Sequence, residues 1–207
     1  MTPTAAFGSL AGLTSALQAA PYIRDVIRRT TRPHRGTWLI WSLLSVLVLS
    51  SQIADGAGWS IIMVATDACL TSVIFLLSLT RGEGGLSRSD LVVIAIAAVG
   101  LAAWAVSSNP VIATMFVVFA DTLAVGLMLP KTWRDPTSET LALYALESVS
   151  GVLSALAVGA VDLSLLLFPV YFALANAFLA TVIACRRRRM VIAAIHRRPS
   201  SASIGDS

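Results

Sequence analysis

The chain has 207 residues, of which 57% are apolar and 13% charged, and its mean hydropathy is +0.81. Soluble domains are about a quarter charged, so this balance excludes them and indicates an integral membrane protein. The alternating segments of about ten residues that mark an outer-membrane barrel are absent, which leaves an all-α fold. A net charge of +4 and a pI near 9.7 could suggest nucleic acid, but the basic residues are confined to loops. That confinement is a membrane-topology signature.

Seven transmembrane helices are predicted, at roughly 5–28, 37–56, 59–80, 90–107, 110–131, 137–160 and 163–185. The first charge is Arg24, so the N-terminal segment lacks the basic region of a secretory signal and reads as the first span. All fifteen Lys and Arg fall within the inner ends of spans 1, 3, 5 and 7 or beyond them, and the connections 54–58, 107–110 and 159–162 carry none. The positive-inside rule then places the N-terminus outside and the C-terminus in the cytoplasm of a cell (plasma) membrane protein. Trp38, Trp59, Trp104 and Trp133 fall at span ends, where indole rings favour the membrane interface. Cys69 and Cys185 share no metal-type spacing and are expected to serve packing. Residues 186–207 form a basic, Ser-rich cytoplasmic tail, expected to be a disordered end.

Polar residues at three- and four-residue spacing mark the face a span turns toward a bundle. Span 1 carries Thr14, Ser15 and Gln18, and span 2 carries Trp38, Trp41, Ser42, Ser45 and Gln52. Span 3 offers Asp67, Thr71 and Ser78, span 5 Thr114 and Asp121, and span 7 Asn176. Span 6 has the clearest stripe, Tyr144, Glu147, Ser150, Gly151 and Ser154. From Leu91 to Val106, span 4 shows only the indole of Trp104 and reads as a lipid-exposed connector. The pattern is two striped triplets joined by a plain span, residues 5–80 and 110–185 joined by 90–107, a 3+1+3 layout. One linking span makes both triplets enter the membrane in the same direction, as parallel repeats. Pro21 and Pro130 recur at the inner ends of spans 1 and 5, each followed by basic residues and a tryptophan.

Asp67, Asp121 and Glu147 lie about 13–16 Å from the nearer counted span end, close to the midplane of a core ~30 Å thick. An acid there costs at least ~2.5 kcal/mol, so three together are expected to face an interior cavity. No Lys, Arg or His lies deep within the spans to pair with them. A proton-linked role for Glu147 or Asp121 is one reading; a neutral acid bridging two helices is the other. Gln18 and Asn176 either bind a polar solute or join helices. Pro169 removes a backbone donor in span 7, as a gating kink or a tolerated bend.

The Pro21-Tyr22 segment with its arginines and Gly36-Thr37-Trp38, its echo from Pro130 to Glu139, and the 3+1+3 layout resemble the PQ-loop and SWEET transporter superfamily. Tyr22 and Lys131 stand where the name-giving motif has glutamine, and spans 2 and 6 have no proline. The resemblance covers residues 5–186 and implies two three-helix bundles with a solute path between them, and Pro21 and Pro130 as hinges for alternating access. It also implies a polar residue on the third span of each repeat, which Asn176 supplies in one and Asp67 with Thr71 in the other.

The expected function is therefore a carrier of a small polar solute, sugar-like or amino-acid-like. Gln18, Gln52, Asp67, Thr71, Asp121, Tyr144, Glu147 and Asn176 line the path, and Pro21, Pro130 and Pro169 flex. The alternative is a membrane receptor or partner-binding protein on the same fold, as in KDEL receptors. An enzyme is not expected: His34 and His196 lie outside the spans, and no nucleophile elbow occurs. No cofactor and no metal are expected. The expected partners are the lipid bilayer and the solute, without nucleic acid; a homo-oligomer is compatible with the sequence.

Overall fold

The computed structural model describes residues 2–29 and 31–196. Seven long helices account for almost all of them: α1 (Pro3–Ile27), α2 (Arg35–Ala54), α3 (Ile61–Arg81), α4 (Arg88–Ser107), α5 (Pro110–Arg134), α6 (Leu141–Val158) and α7 (Leu163–His196). Six of them, α2 to α7, are long and apolar enough to cross a membrane. The seventh, α1, is 25 residues long but is diluted by Gly, Ser, Thr and Gln along its length.

The principal contacts between helices close a ring. α1 packs on α6, α6 on α7, α7 on α5, α5 on α2, α2 on α3 and α3 back on α1. α4 lies outside, against α5 and α2. Its exposed Leu91, Val92, Val99, Leu101 and Val106 fit the expectation of an apolar connector.

Lipid tails are as apolar as the helices, so bundles of this kind are held by close packing and buried hydrogen bonds rather than by exclusion of water. The small residues of the stripes serve that purpose. A Cβ added to Gly151 would sit 2.8 Å from the Ala173 backbone nitrogen, across the α6–α7 contact. Gly12 brings α1 onto Ile62 of α3, and Gly100 brings α4 onto Phe116 of α5. Ser150 donates to the Ala11 carbonyl at 2.7 Å and Ser154 to the Ser60 carbonyl at 3.0 Å, both fully buried. These bonds tie α6 to α1 and to the start of α3.

Arginines fasten one end of the bundle. Arg35, at the start of α2, donates to the carbonyls of Ser78, Gly82 and Gly84 at 2.8–3.0 Å, satisfying groups that the C-terminus of α3 leaves open. Arg187 of α7 does the same for Pro136 at 3.0 Å and Glu139 at 2.5 Å, ahead of α6. Arg186 donates to the Trp133 carbonyl and stacks 4.6 Å over its ring.

Several expectations are corrected here. The segment expected to open span 6 at residue 137 instead forms a short 3₁₀ turn, Pro136–Ser138, and α6 begins at Leu141. The Asp135 carboxylate holds that turn by accepting from the Thr137 amide and hydroxyl at 3.1 and 2.5 Å. α7 does not stop at 185 but continues as one helix to His196, because Arg, Met, Ile and Ala are good helix formers. Arg197, Arg198 and the Ser-rich end of the tail lie outside the described residues. Cys69 and Cys185 are free and exposed on the outside of the bundle, so they pack no interior. Trp38, expected at the interface, is only 7% exposed, with its N–H satisfied by the Tyr22 hydroxyl at 3.2 Å.

Candidate functional site

Inside the ring lies a cavity of about 80 Å³. Every ring helix contributes to its wall and α4 does not. Asp67, Asp121 and Glu147 all open onto it, from α3, α5 and α6. So do Gln18 from α1, Thr71 from α3, Tyr144 from α6 and Asn176 from α7.

Gln52 does not. It is buried at 1% exposure, and it sits seven residues beyond the wall residue Ser45 on α2. That spacing keeps it on the same helix face but about 10 Å further along the axis. Between it and the cavity, Val48, Met63 and Val64 form part of the apolar core.

Each carboxyl takes its donors from a neighbouring helix. Ser45 of α2 donates to Asp67 at 2.5 Å. Tyr171 of α7 donates to Asp121 at 2.8 Å, and itself receives the Thr122 hydroxyl at 3.1 Å. Glu147 receives the Gln18 amide and, more weakly, the Ser15 hydroxyl at 3.4 Å, both from α1. Asp67 also lies within electrostatic range of both Asp121 and Glu147. Among the described residues the wall contains three acids and no Lys, Arg or His.

The remaining polar groups of the wall are turned to local partners. Thr71 donates to the Asp67 carbonyl of its own helix at 2.8 Å. Asn176 donates its amide to the Phe172 carbonyl at 2.9 Å. Tyr144 donates to Glu139 at 3.0 Å, toward the arginine-bearing end. By contrast, Gln18 keeps a buried amide oxygen with no hydrogen-bond partner.

Packed layers flank the cavity on both sides. Toward the arginine-bearing end, Tyr22 meets Trp38 at a tilt and Trp38 meets Trp41 edge to face, with ring centroids 5.1 and 5.2 Å apart. Toward the opposite end lie Val48, Met63, Val64 and Val117, with a Ser51–Thr114 hydroxyl pair at 3.0 Å joining α2 to α5. Pro21, Pro130 and Pro169 each sit inside a helix that continues past them, in α1, α5 and α7.

Sequence reasoning placed Trp38 and Trp41 on the bundle-facing stripe of span 2, and both line the wall; it missed Tyr171, Phe168 and Phe172. A signal for the last two was present. Phe168, Phe172, Ala175, Asn176 and Leu179 recur at three- and four-residue spacing, so the face of α7 that carries Asn176 is continuous. No group of three or more His, Cys, Asp or Glu among the described residues is arranged to hold a metal ion. Comparison of the chain with protein-family models, with curated proteins and with solved structures finds no match.

Proposed function

We propose that the protein is a carrier that moves a small polar solute across the membrane by alternating access, with the cavity as its central binding site. One observation carries the reading: three carboxyls from three helices converge on a single cavity walled by six. Acids that merely joined helices would need no common space, and their cost in a membrane argues for a working role.

The same reading includes α1 as a seventh span and a 3+1+3 organisation like that of the PQ-loop and SWEET superfamily. Support comes from the pattern of contacts. Exchanging α1, α2 and α3 with α5, α6 and α7 maps the ring onto itself, with α1–α6 becoming α5–α2 and α3–α1 becoming α7–α5. Such a match is what parallel repeats about an axis along the membrane normal produce. The arginine-bearing end then faces the cytoplasm and the N-terminus the exterior of the plasma membrane. Pro21, Pro130 and Pro169 each leave one carbonyl four residues back without its usual partner, and these are the bending points of the cycle. Movement of a proton with the solute falls to Glu147 or Asp121.

Uptake by proteoliposomes of a panel of neutral, cationic and anionic solutes, with and without a pH gradient, is the test. The carrier reading requires saturable uptake of at least one of them. If none enters under either condition, the reading fails.

A further inference from the structure

From the balance of donors and acceptors around the cavity we infer that it selects a small organic cation, one bearing a primary ammonium or a guanidinium group. The inference deepens the carrier reading and rests on it for movement, though not for binding.

Charge comes first. Among the described residues three carboxyls face the space and no basic side chain does, so a cation is the occupant whose burial the wall compensates. Hydrogen-bond direction narrows the class. An ionised carboxylate offers about four acceptor positions, and Asp67 receives one direct donor, from Ser45. The unpartnered amide oxygen of Gln18, in a side chain only 6% exposed, adds another acceptor at the same wall.

Most of the wall's donors, meanwhile, are engaged. Thr71 and Tyr144 give their hydrogens to the Asp67 carbonyl and Glu139. Asn176 and Gln18 each give one amide hydrogen, to the Phe172 carbonyl and Glu147, and keep one. A polyol would bring several hydroxyl oxygens to a wall whose acceptors outnumber the donors left to it, and each unpaired buried acceptor is costly. Ammonium and guanidinium groups have donors only. Their fit is therefore better than a sugar's.

Trp38, Trp41, Phe168 and Phe172 supply aromatic surface beside the acids, which suits both a cation and a short alkyl body. Size sets the limit. A cavity of about 150 Å³ accepts benzene, with six heavy atoms, so about 80 Å³ suits an occupant of roughly three or four.

The test uses the purified full-length protein in detergent and the pairs guanidinium against urea and ethylammonium against ethanol, by calorimetric titration at millimolar ligand. The cations should bind saturably, roughly tenfold or more tighter than their neutral counterparts. Asp67→Asn and Glu147→Gln, matched in shape, should each lower cation affinity by about tenfold, whereas Asp162→Asn should not. Equal binding of urea and guanidinium by the wild-type protein overturns the inference, and it needs no variant to fold. Full cation affinity in carboxamide variants that elute as folded protein overturns it as well. In proteoliposomes the two claims separate. Cation binding without any solute flux removes the carrier and leaves the site. Flux of neutral polyols that cations neither bind against nor compete with removes the cation inference and leaves the carrier.

Discussion

Two spaces in the bundle differ in kind. The central one is the smaller, about 80 Å³, yet all six ring helices send side chains to it and three of those are acids. The other is a crevice of about 370 Å³ between α2 and α4, lined by Leu, Val, Ile and Ala with Ser50 and Trp104 as its polar members. Volume alone would favour the crevice. Chemistry favours the central space, because an apolar crevice at the outer face of a membrane bundle asks for nothing but acyl chains, while buried acids need a reason. Convergence of costly groups is the better guide to a working site.

The sharpest way to break that contrast is to neutralise the acids. Glu147→Gln and Asp121→Asn should each lower the uptake rate by about tenfold or more, the size expected for loss of a desolvated charge contact. Ala97→Leu and Ser50→Ala in the crevice should leave uptake within about twofold, since neither touches the ring interior. If the carboxamide variants transport normally, with and without a pH gradient, both the proton link and the contrast between the two spaces disappear.

A second intervention compares the spaces by filling them. Ala175 lines the central cavity, and Ala175→Phe adds a ring to a space that holds only a handful of atoms. Solute uptake should fall by about an order of magnitude while thermal stability drops by about 1–3 kcal/mol for overpacking. The matching change in the crevice, Ala98→Phe, meets a larger void and should cost less in stability and leave uptake unchanged. Initial rates in proteoliposomes and unfolding in detergent read both effects.

How much of this was legible beforehand follows from which physical signals are local. The segregation of arginines fixed most helix ends to within a few residues, because charge is excluded from the apolar core; the exception is α7, which runs on through Arg186–Arg189 to His196. Seven of the eight expected path residues reach the cavity, because a stripe at helical spacing specifies a face. It does not specify depth. Gln52 shares the face of Ser45 but lies above an apolar layer that only the packed bundle creates. Partners were hidden for the same reason. Nothing near Tyr171 in the chain announces Asp121, fifty residues away on another helix. Trp38 fitted both a span end at the interface and the bundle-facing stripe; only the packed bundle decides for the second, because its partner Tyr22 belongs to the preceding helix.

The ring itself is open to a smaller test. Gly151→Ala places a methyl 2.8 Å from backbone nitrogen of Ala173, which cannot swing aside as a side chain could. Separation of α6 and α7 should cost about 1–3 kcal/mol of stability. Both helices carry wall residues, Glu147 and Asn176, so cation affinity should fall with it. Gly100→Ala meets the Phe116 side chain at the α4–α5 contact instead, outside the ring. It should destabilise the fold while leaving affinity intact, and that split would show the ring and the connector to be separable.

The smallest expected effect concerns an acid that belongs to neither space. Asp162 is exposed just before α7 and accepts from the Ser164 hydroxyl at 2.6 Å and the Ser164 and Leu165 amides at 2.9 and 3.4 Å. The Ser164 hydroxyl, opposed by slight desolvation and helped by the two amides, holds its carboxyl below the usual aspartate range. A depressed folded value means that the cap contributes above the ordinary aspartate pKa of about 3.9 and is lost as pH falls through the folded value below it. Asp162→Ala should therefore speed hydrogen exchange at the first amides of α7 near neutral pH. The wild-type protein should approach that behaviour only in strong acid, and uptake should not change. A loss of uptake in Asp162→Ala would mean that the opposite end of the bundle, and not only its buried acids, takes part in handling the solute.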